Sequence, residues 1–206
     1  MLIRSLLFTF SSSREKFFIT GQSSIFGNLN ASGRRSSLKI EECGIEGARL
    51  YRLKEYPDCR GSFFELFRKE WIPEVFADRI QVNCSRSSAG VIRGLHYHDR
   101  QWDFWIPISG RMTAGLADLR KDSSTYGRSV SLKLNTEEPA GLLIPPGVAH
   151  GFAAATDLVL VYIVSNYFDN TDEHGIAWND PALSIEWGID NPVVSQRDIL
   201  NEPYSW

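Results

Sequence analysis

Gly90-Val91-Ile92-Arg93-Gly94-Leu95-His96-Tyr97-His98 decides how the chain is read. Apolar and polar residues alternate along this stretch, which predicts a strand. Gly94 within it permits a bulge or a close backbone approach by a ligand. Further along, Leu142-Leu143-Ile144-Pro145-Pro146-Gly147-Val148-Ala149-His150-Gly151-Phe152 answers it. There an apolar strand enters a Pro-Pro-Gly turn and a histidine follows the turn. Two histidine-bearing strands in a chain otherwise poor in histidine call for a chemical reason.

Around these two stretches the pattern stays β. Residues 48–56 and 61–68 read as strands flanking a Pro-Asp-Cys-Arg-Gly turn, and 69–76 as a short helix begun or broken at Pro73. Over 79–87, Ile80, Val82 and Cys84 alternate with Gln81, Asn83 and Ser85, which puts Gln81 and Asn83 on one face. Strands follow at 93–98, 104–108, 113–119, 128–134, 142–144, 149–154 and 158–168, and the tail over 180–198 has room for a helical turn or two. Short strands at such regular spacing predict an all-β sandwich or barrel with short peripheral helices, not βαβ units.

Composition bounds the function. With 206 residues, 43% of them hydrophobic, the chain can bury one sizeable core. We therefore expect one domain over 38–206, preceded by an arm over 1–37 that lies outside the fold. That arm is rich in serine, its only acid is Glu15, and it carries Arg4, Arg14, Lys16, Arg34 and Arg35. It fits a transit peptide, an over-long start or a disordered arm equally. A net charge of −3, with no basic stripe, argues against nucleic acid as a partner, and no apolar run is long enough for a membrane span. Cys43, Cys59 and Cys84 are odd in number and lack metal-ligand spacing, which favours a reducing, cytoplasmic setting. Cys84 reads as a small buried hydrophobe.

An enclosed β-barrel doing acid–base work needs a base titrating near neutrality, a group to orient it, an acid opposite, and donors for developing negative charge. His96 is a natural base, since a free imidazole titrates at about 6.5. Tyr162, in the apolar run Leu158-Val159-Leu160-Val161-Tyr162-Ile163-Val164, offers an interior phenol. The residues alone favour a core tyrosine with a satisfied hydroxyl there, and they leave His150 open between structure and function.

The chain from about residue 38 to 203 resembles the dTDP-4-dehydrorhamnose 3,5-epimerases, cupin-type β-jelly-roll enzymes of nucleotide-sugar metabolism. The resemblance runs through Asp58-x-Arg60-Gly61-x-Phe63-Phe64-Glu65, Gln81-x-Asn83-x-Ser85, Arg93-Gly94-Leu95-His96-Tyr97 and Asp118-Leu119-Arg120 with Ser123 to Gly127. It continues through Ile144-Pro145-x-Gly147-x-Ala149-His150-Gly151-Phe152, Tyr162 with Asn166-Tyr167, Gly175-Ile176-x-Trp178-Asn179-Asp180, Ile185-x-Trp187 and Ser195-x-x-Asp198. It implies His96 as catalytic base, Asp198 as the carboxylate that orients it, and Tyr162 as the acid on the opposite face. Arg93 and His150 would line the sugar and diphosphate pocket. Arg60, Glu65, Gln81, Asn83 and Arg197 would hold the nucleotide, Arg60 and Glu65 by crossing to the neighbour in a homodimer. Glu173 matches a further ligand-contacting position. The implied partner is a nucleotide sugar, and the implied chemistry needs no cofactor.

The sequence also departs from that family. The loop after the leading histidine is shortened to His98-Asp99-Arg100-Gln101-Trp102, and Asp103 stands where the family carries a lysine near the keto oxygen. Arg100 and Arg93 are the substitutes at hand. Val82 replaces a frequent Asp, and Phe168 replaces a common tyrosine, so the sugar or nucleotide is open. The same departure gives His96-x-His98, then Asp103, then His150 after a Pro-x-Gly turn. This is the ligand pattern of metal-dependent cupins (isomerases or dioxygenases), and it makes a rival reading. A nucleotide-sugar-binding jelly roll that lost activity with the lysine is the non-enzymatic alternative.

Overall fold

The structure, a computed structural model, describes residues 38–205. The arm expected over 1–37 lies outside the described residues. Two antiparallel sheets face each other as a β-jelly roll. The first runs in the order β1 (Lys39–Glu42), β2 (Arg49–Arg52), β10 (Ala140–Ile144), β7 (Asp103–Ser109), β12 (Leu158–Val164), β5 (Gln81–Ser87). The second runs β13 (His174–Gly175), β6 (Val91–Tyr97), β11 (Val148–Ala154), β8 (Arg111–Asp118), β9 (Ser129–Asn135), with β14 (Val193–Val194) parallel to β6. A separate hairpin pairs β3 (Glu55–Asp58) with β4 (Gly61–Phe64). Among the described residues, helical structure is limited to a 3₁₀ turn at Lys69–Trp71 and a four-residue helix, α1 (Gln196–Ile199).

The two expected elements over 48–56 and 69–76 take other forms. The strand divides at Leu53-Lys54, where the chain leaves the sandwich to form the hairpin. The helix shortens to a 3₁₀ turn, and Pro73 supplies no N–H to extend it. The sandwich interior is filled by Leu116, Leu134, Leu142, Ile144, Leu158 and Leu160 from facing strands. Both outer faces are covered as well. Ile72, Phe76 and Phe67 pack over Tyr51, Phe104, Leu143 and Ile163 on the first sheet. Trp187, Leu183 and Ile176 pack over Ile92, Ala117 and Ala149 on the second. Central strands buried on both faces need no polar side, which is why β10 to β12 read as nearly continuous apolar runs.

Gly94 does produce a close approach, but to a neighbouring strand. Its φ is +112°, and a Cβ there would stand 2.7 Å from Gly151 Cα and from the His150 carbonyl oxygen. No L-side chain fits either demand. The register between β6 and β11 shifts at this point, so His96 pairs with His150 while Arg93 pairs with Phe152. The two histidine strands of the sequence are thus adjacent.

Asp118 ends β8 fully buried and accepts hydrogen bonds from Arg120 Nε and Nη2, each at 2.8 Å, and from Thr125 Oγ1 at 2.6 Å. Burial alone would raise its pKa, yet these donors, with Ser123, hold it at about 2, below the ordinary 3.8. A carboxyl whose folded pKa is depressed stabilises the fold above its unfolded pKa and loses that contribution as pH falls toward the folded one. Asp118→Asn should therefore cost about 2 kcal/mol near neutral pH. In urea denaturation the gap between wild type and variant should close as pH falls from about 4 to about 2.

Candidate active site

A cavity of about 380 Å³ opens between the sheets at one end of the sandwich. The first sheet contributes Gln81, Asn83 and Ser85 from β5, Asp103 and Trp105 from β7, and Tyr162 from β12. The second contributes Arg93 and His96 from β6 and His150 and Phe152 from β11, while His98 and Glu173 flank the opening.

His96 and Asp198 meet across 102 residues of sequence. His96 Nε2 lies 2.7 Å from Asp198 Oδ1. A carboxylate only accepts, so in the neutral ring the proton sits on Nε2 and Nδ1 carries the lone pair. Asp198 is aimed by two local devices. Ser195 caps α1 by accepting the Asp198 N–H at 3.1 Å, and the Gly94 N–H donates to Asp198 Oδ2 at 3.3 Å. Burial opposes the charge on Asp198, but the bond from His96, helped by Gly94 and Ser195, holds its pKa below the ordinary carboxylate value.

Tyr162 stands on the opposite sheet, half-buried, and lines the same cavity. Its hydroxyl has no hydrogen-bond partner among the described residues, contrary to the satisfied core tyrosine that the residues alone favour. Burial, reinforced by Asp103, pushes its pKa upward, so the phenol keeps its proton at neutral pH.

The expected binding residues divide into two groups. Gln81, Asn83, Arg93, His150 and Glu173 all line the cavity. Gln81 Nε2 donates to Asn83 Oδ1 at 2.9 Å, as their shared face requires. Arg197 reaches the site only through Glu173 Oε1, 2.8 Å from its Nη1. Arg60 and Glu65 do not line the cavity of their own chain. Arg60 pairs with Asp58 on the exposed hairpin, and Glu65 pairs with Arg68.

Three expectations are corrected by orientation. Cys84 is exposed, because β5 turns its polar face to the wet cavity and its apolar face outward. Val82 is likewise 63% exposed on that outer face and does not line the cavity of its own chain; Phe168 does. Arg100 cannot stand in for the missing lysine from inside. It is mostly exposed and bound to Asp169 at 3.0 Å and Asp172 at 3.6 Å.

The four proposed metal ligands also separate. His98, Asp103 and His150 bring their ligand atoms within 4.8 Å of one another, whereas His96 is committed to Asp198 and lies outside that group. His150 is buried, and that burial holds its pKa down at about 4 despite Asp103, so its ring is neutral. Sequence reasoning missed Gln101, Trp105 and Phe152 as cavity residues. Trp105 sits two residues after Asp103 on one strand and so shares its face, a period-2 signal that was there to read.

Comparison with known proteins follows the geometry. The sequence model of the dTDP-4-dehydrorhamnose 3,5-epimerase family matches residues 42–204. A Shigella flexneri dTDP-4-dehydrorhamnose 3,5-epimerase is 34% identical over 174 residues, covering 81% of this chain and 96% of that protein. A spore coat polysaccharide biosynthesis protein of Bacillus subtilis is 36% identical, covering 71% of this chain and 98% of its own length. The crystal structure of a Legionella pneumophila dTDP-6-deoxy-D-glucose-3,5-epimerase, in complex with dTDP-4-keto-L-rhamnose, superposes with a TM-score of 0.75 at 31% identity. That match covers 81% of this chain and 92% of the other. On the fold, the cavity and these matches together, the chain belongs to the dTDP-4-dehydrorhamnose 3,5-epimerase family.

Proposed function

We propose that this protein is an isomerase that epimerises a nucleotide-linked 4-keto-6-deoxy sugar in deoxysugar and polysaccharide biosynthesis. The observation that carries this reading is an imidazole–carboxylate pair and an unpartnered phenol lining one cavity from opposite sheets. A 4-ketone acidifies the hydrogens on C3 and C5. His96 Nδ1 takes one as a proton, the C–H electron pair becomes the double bond to C4, and the C4=O π pair moves onto the oxygen as enolate charge. Tyr162 then delivers a proton to the other face, and the centre inverts. Asp198 stabilises the imidazolium formed in the first step, and each such positioned acid or base is typically worth about 10²–10⁴ in rate. Gln81, Asn83, Arg93, His150 and Glu173 hold the nucleotide sugar.

The active form is a homodimer in this reading. Phe63 and Tyr56 are exposed on the hairpin, and Val82 with Cys84 is exposed on the edge strand β5. Covering them would bring Arg60 and Glu65 to a neighbour's cavity. Its sedimentation mass should be twice that of one chain. No helix among the described residues is long and apolar enough to cross a membrane. Free thiols at Cys43, Cys59 and Cys84 fit our assignment to the reducing cytoplasm.

Incubation with a dTDP-linked 4-keto-6-deoxyglucose in D₂O, read by proton NMR, tests the activity. Deuterium should enter at C3, C5 or both, and the pattern shows which centres invert. Binding of the nucleotide sugar with no exchange at either carbon would reduce the protein to a binding module.

A further inference from the structure

The cavity holds a second cluster that the proton-transfer chemistry leaves unused. His98 Nδ1 lies 2.6 Å from the Asp172 carbonyl oxygen, and His150 Nδ1 lies 2.9 Å from the Val148 carbonyl oxygen. A carbonyl only accepts, so both Nδ1 atoms carry the proton and donate it. In the neutral rings both Nε2 atoms therefore present lone pairs. His98 Nε2 stands 3.9 Å from Asp103 Oδ2, too far for a hydrogen bond. Asp103 itself is held by Gln101 Nε2 at 3.1 Å and Trp105 Nε1 at 3.3 Å. The side chains of His98 and Asp103 are only 13% and 5% exposed, and His150 is buried. The two imidazoles and the carboxylate bring their ligand atoms within 4.8 Å of one another. Ring N–H groups anchored on backbone carbonyls are the outer support that orients histidines on a metal.

We propose that His98, Asp103 and His150 bind one divalent transition metal, and that the metal stabilises the enolate oxygen formed at C4 of the sugar. The metal role rests on the epimerase reading above; the site itself does not. Two nitrogens and one carboxylate oxygen suit Zn(II), Mn(II), Fe(II), Co(II) or Ni(II) and leave positions open to a ligand in the cavity. Donors now within 4.8 Å would draw in to about 3–3.5 Å around an ion with bonds near 2.1 Å, a movement within side-chain rotamer reach. The placement suits the chemistry. His150 is the cross-strand partner of His96, so the ion and the base face one sugar ring. His96 is no ligand, and its lone pair stays available. Among the described residues the cavity otherwise lacks a free cation. Arg93, the one Lys or Arg among its lining residues, is tied to Ser87 Oγ at 3.0 Å and to the Arg86 carbonyl oxygen at 3.2 Å. A metal bound through Asp103 turns the carboxylate that would repel the enolate into a holder of positive charge.

Calorimetric titration of chelator-treated, full-length protein with Zn(II), and with Co(II) followed by its visible absorption, tests the site. One ion per chain should bind at micromolar concentration or below. Asp103→Asn and His98→Gln, checked for wild-type melting, should weaken binding at least ~100-fold, and His96→Gln should leave stoichiometry unchanged. Deuterium exchange into the sugar should slow at least ~10-fold in the chelator-treated enzyme and recover with metal. No saturable binding, or binding indifferent to Asp103→Asn and His98→Gln, overturns the site. Metal bound as described with exchange equally fast in both forms overturns the enolate role. Metal bound with no exchange in either form instead defeats the epimerase reading and leaves the site standing.

Discussion

Replacing His96 with alanine is expected to abolish deuterium exchange at both carbons of the sugar, with kcat at least ~10³-fold down. No other imidazole in the cavity can take over. His150 and His98 hold their Nδ1 protons on backbone carbonyls, and both rings are gathered around Asp103. Asp198→Asn separates the base from its support. An amide keeps the shape but can donate to Nε2, which moves the ring proton to Nδ1, the atom that must be free. A loss of about 10²–10⁴ in kcat with KM little changed is the expected signature. Exchange retained at wild-type rate in His96→Ala would assign the base elsewhere.

The second large effect is one of partition. Tyr162→Phe removes the proton donor on the far face and leaves the base untouched. Exchange through His96 should persist, since a proton taken can return from the same side. Inverted product should fall by about 10²-fold or more. Measured together, deuterium content and stereochemistry give a ratio that a merely destabilised enzyme would not alter. The substitution exposes no buried donor or acceptor, because the hydroxyl has no partner to lose among the described residues. Equal loss of exchange and inversion would instead make Tyr162 part of the first proton transfer.

The strands were legible where the physics is local. Alternation around His96 and Asn83 marks their strands correctly, because side chains on a pleated sheet change face at every residue. The site was legible only in part. His96, His150 and Tyr162 stand out as polar groups on apolar strands, whereas the partner of His96 lies 102 residues away, and only the fold brings it back. Cys84 misled for a physical reason. The rule that apolar side chains point inward fails on a strand whose inner face borders a polar cavity. Arg60 and Glu65 follow family motifs, yet neither lines the cavity of its own chain. The trio of His98, Asp103 and His150 needed structure most of all, since only hydrogen-bond geometry shows which ring nitrogens are free.

Asp198 is supplied from a strap laid over the second sheet after the last long strand, β12, has closed the sandwich. During synthesis on the ribosome, the long strands of both sheets can therefore assemble while His96 still lacks its carboxylate partner. Folding and reactivity are then successive events. In that order a nascent chain would hold the pocket's strands in place before docking of α1 brings Asp198 to His96 and fixes its tautomer.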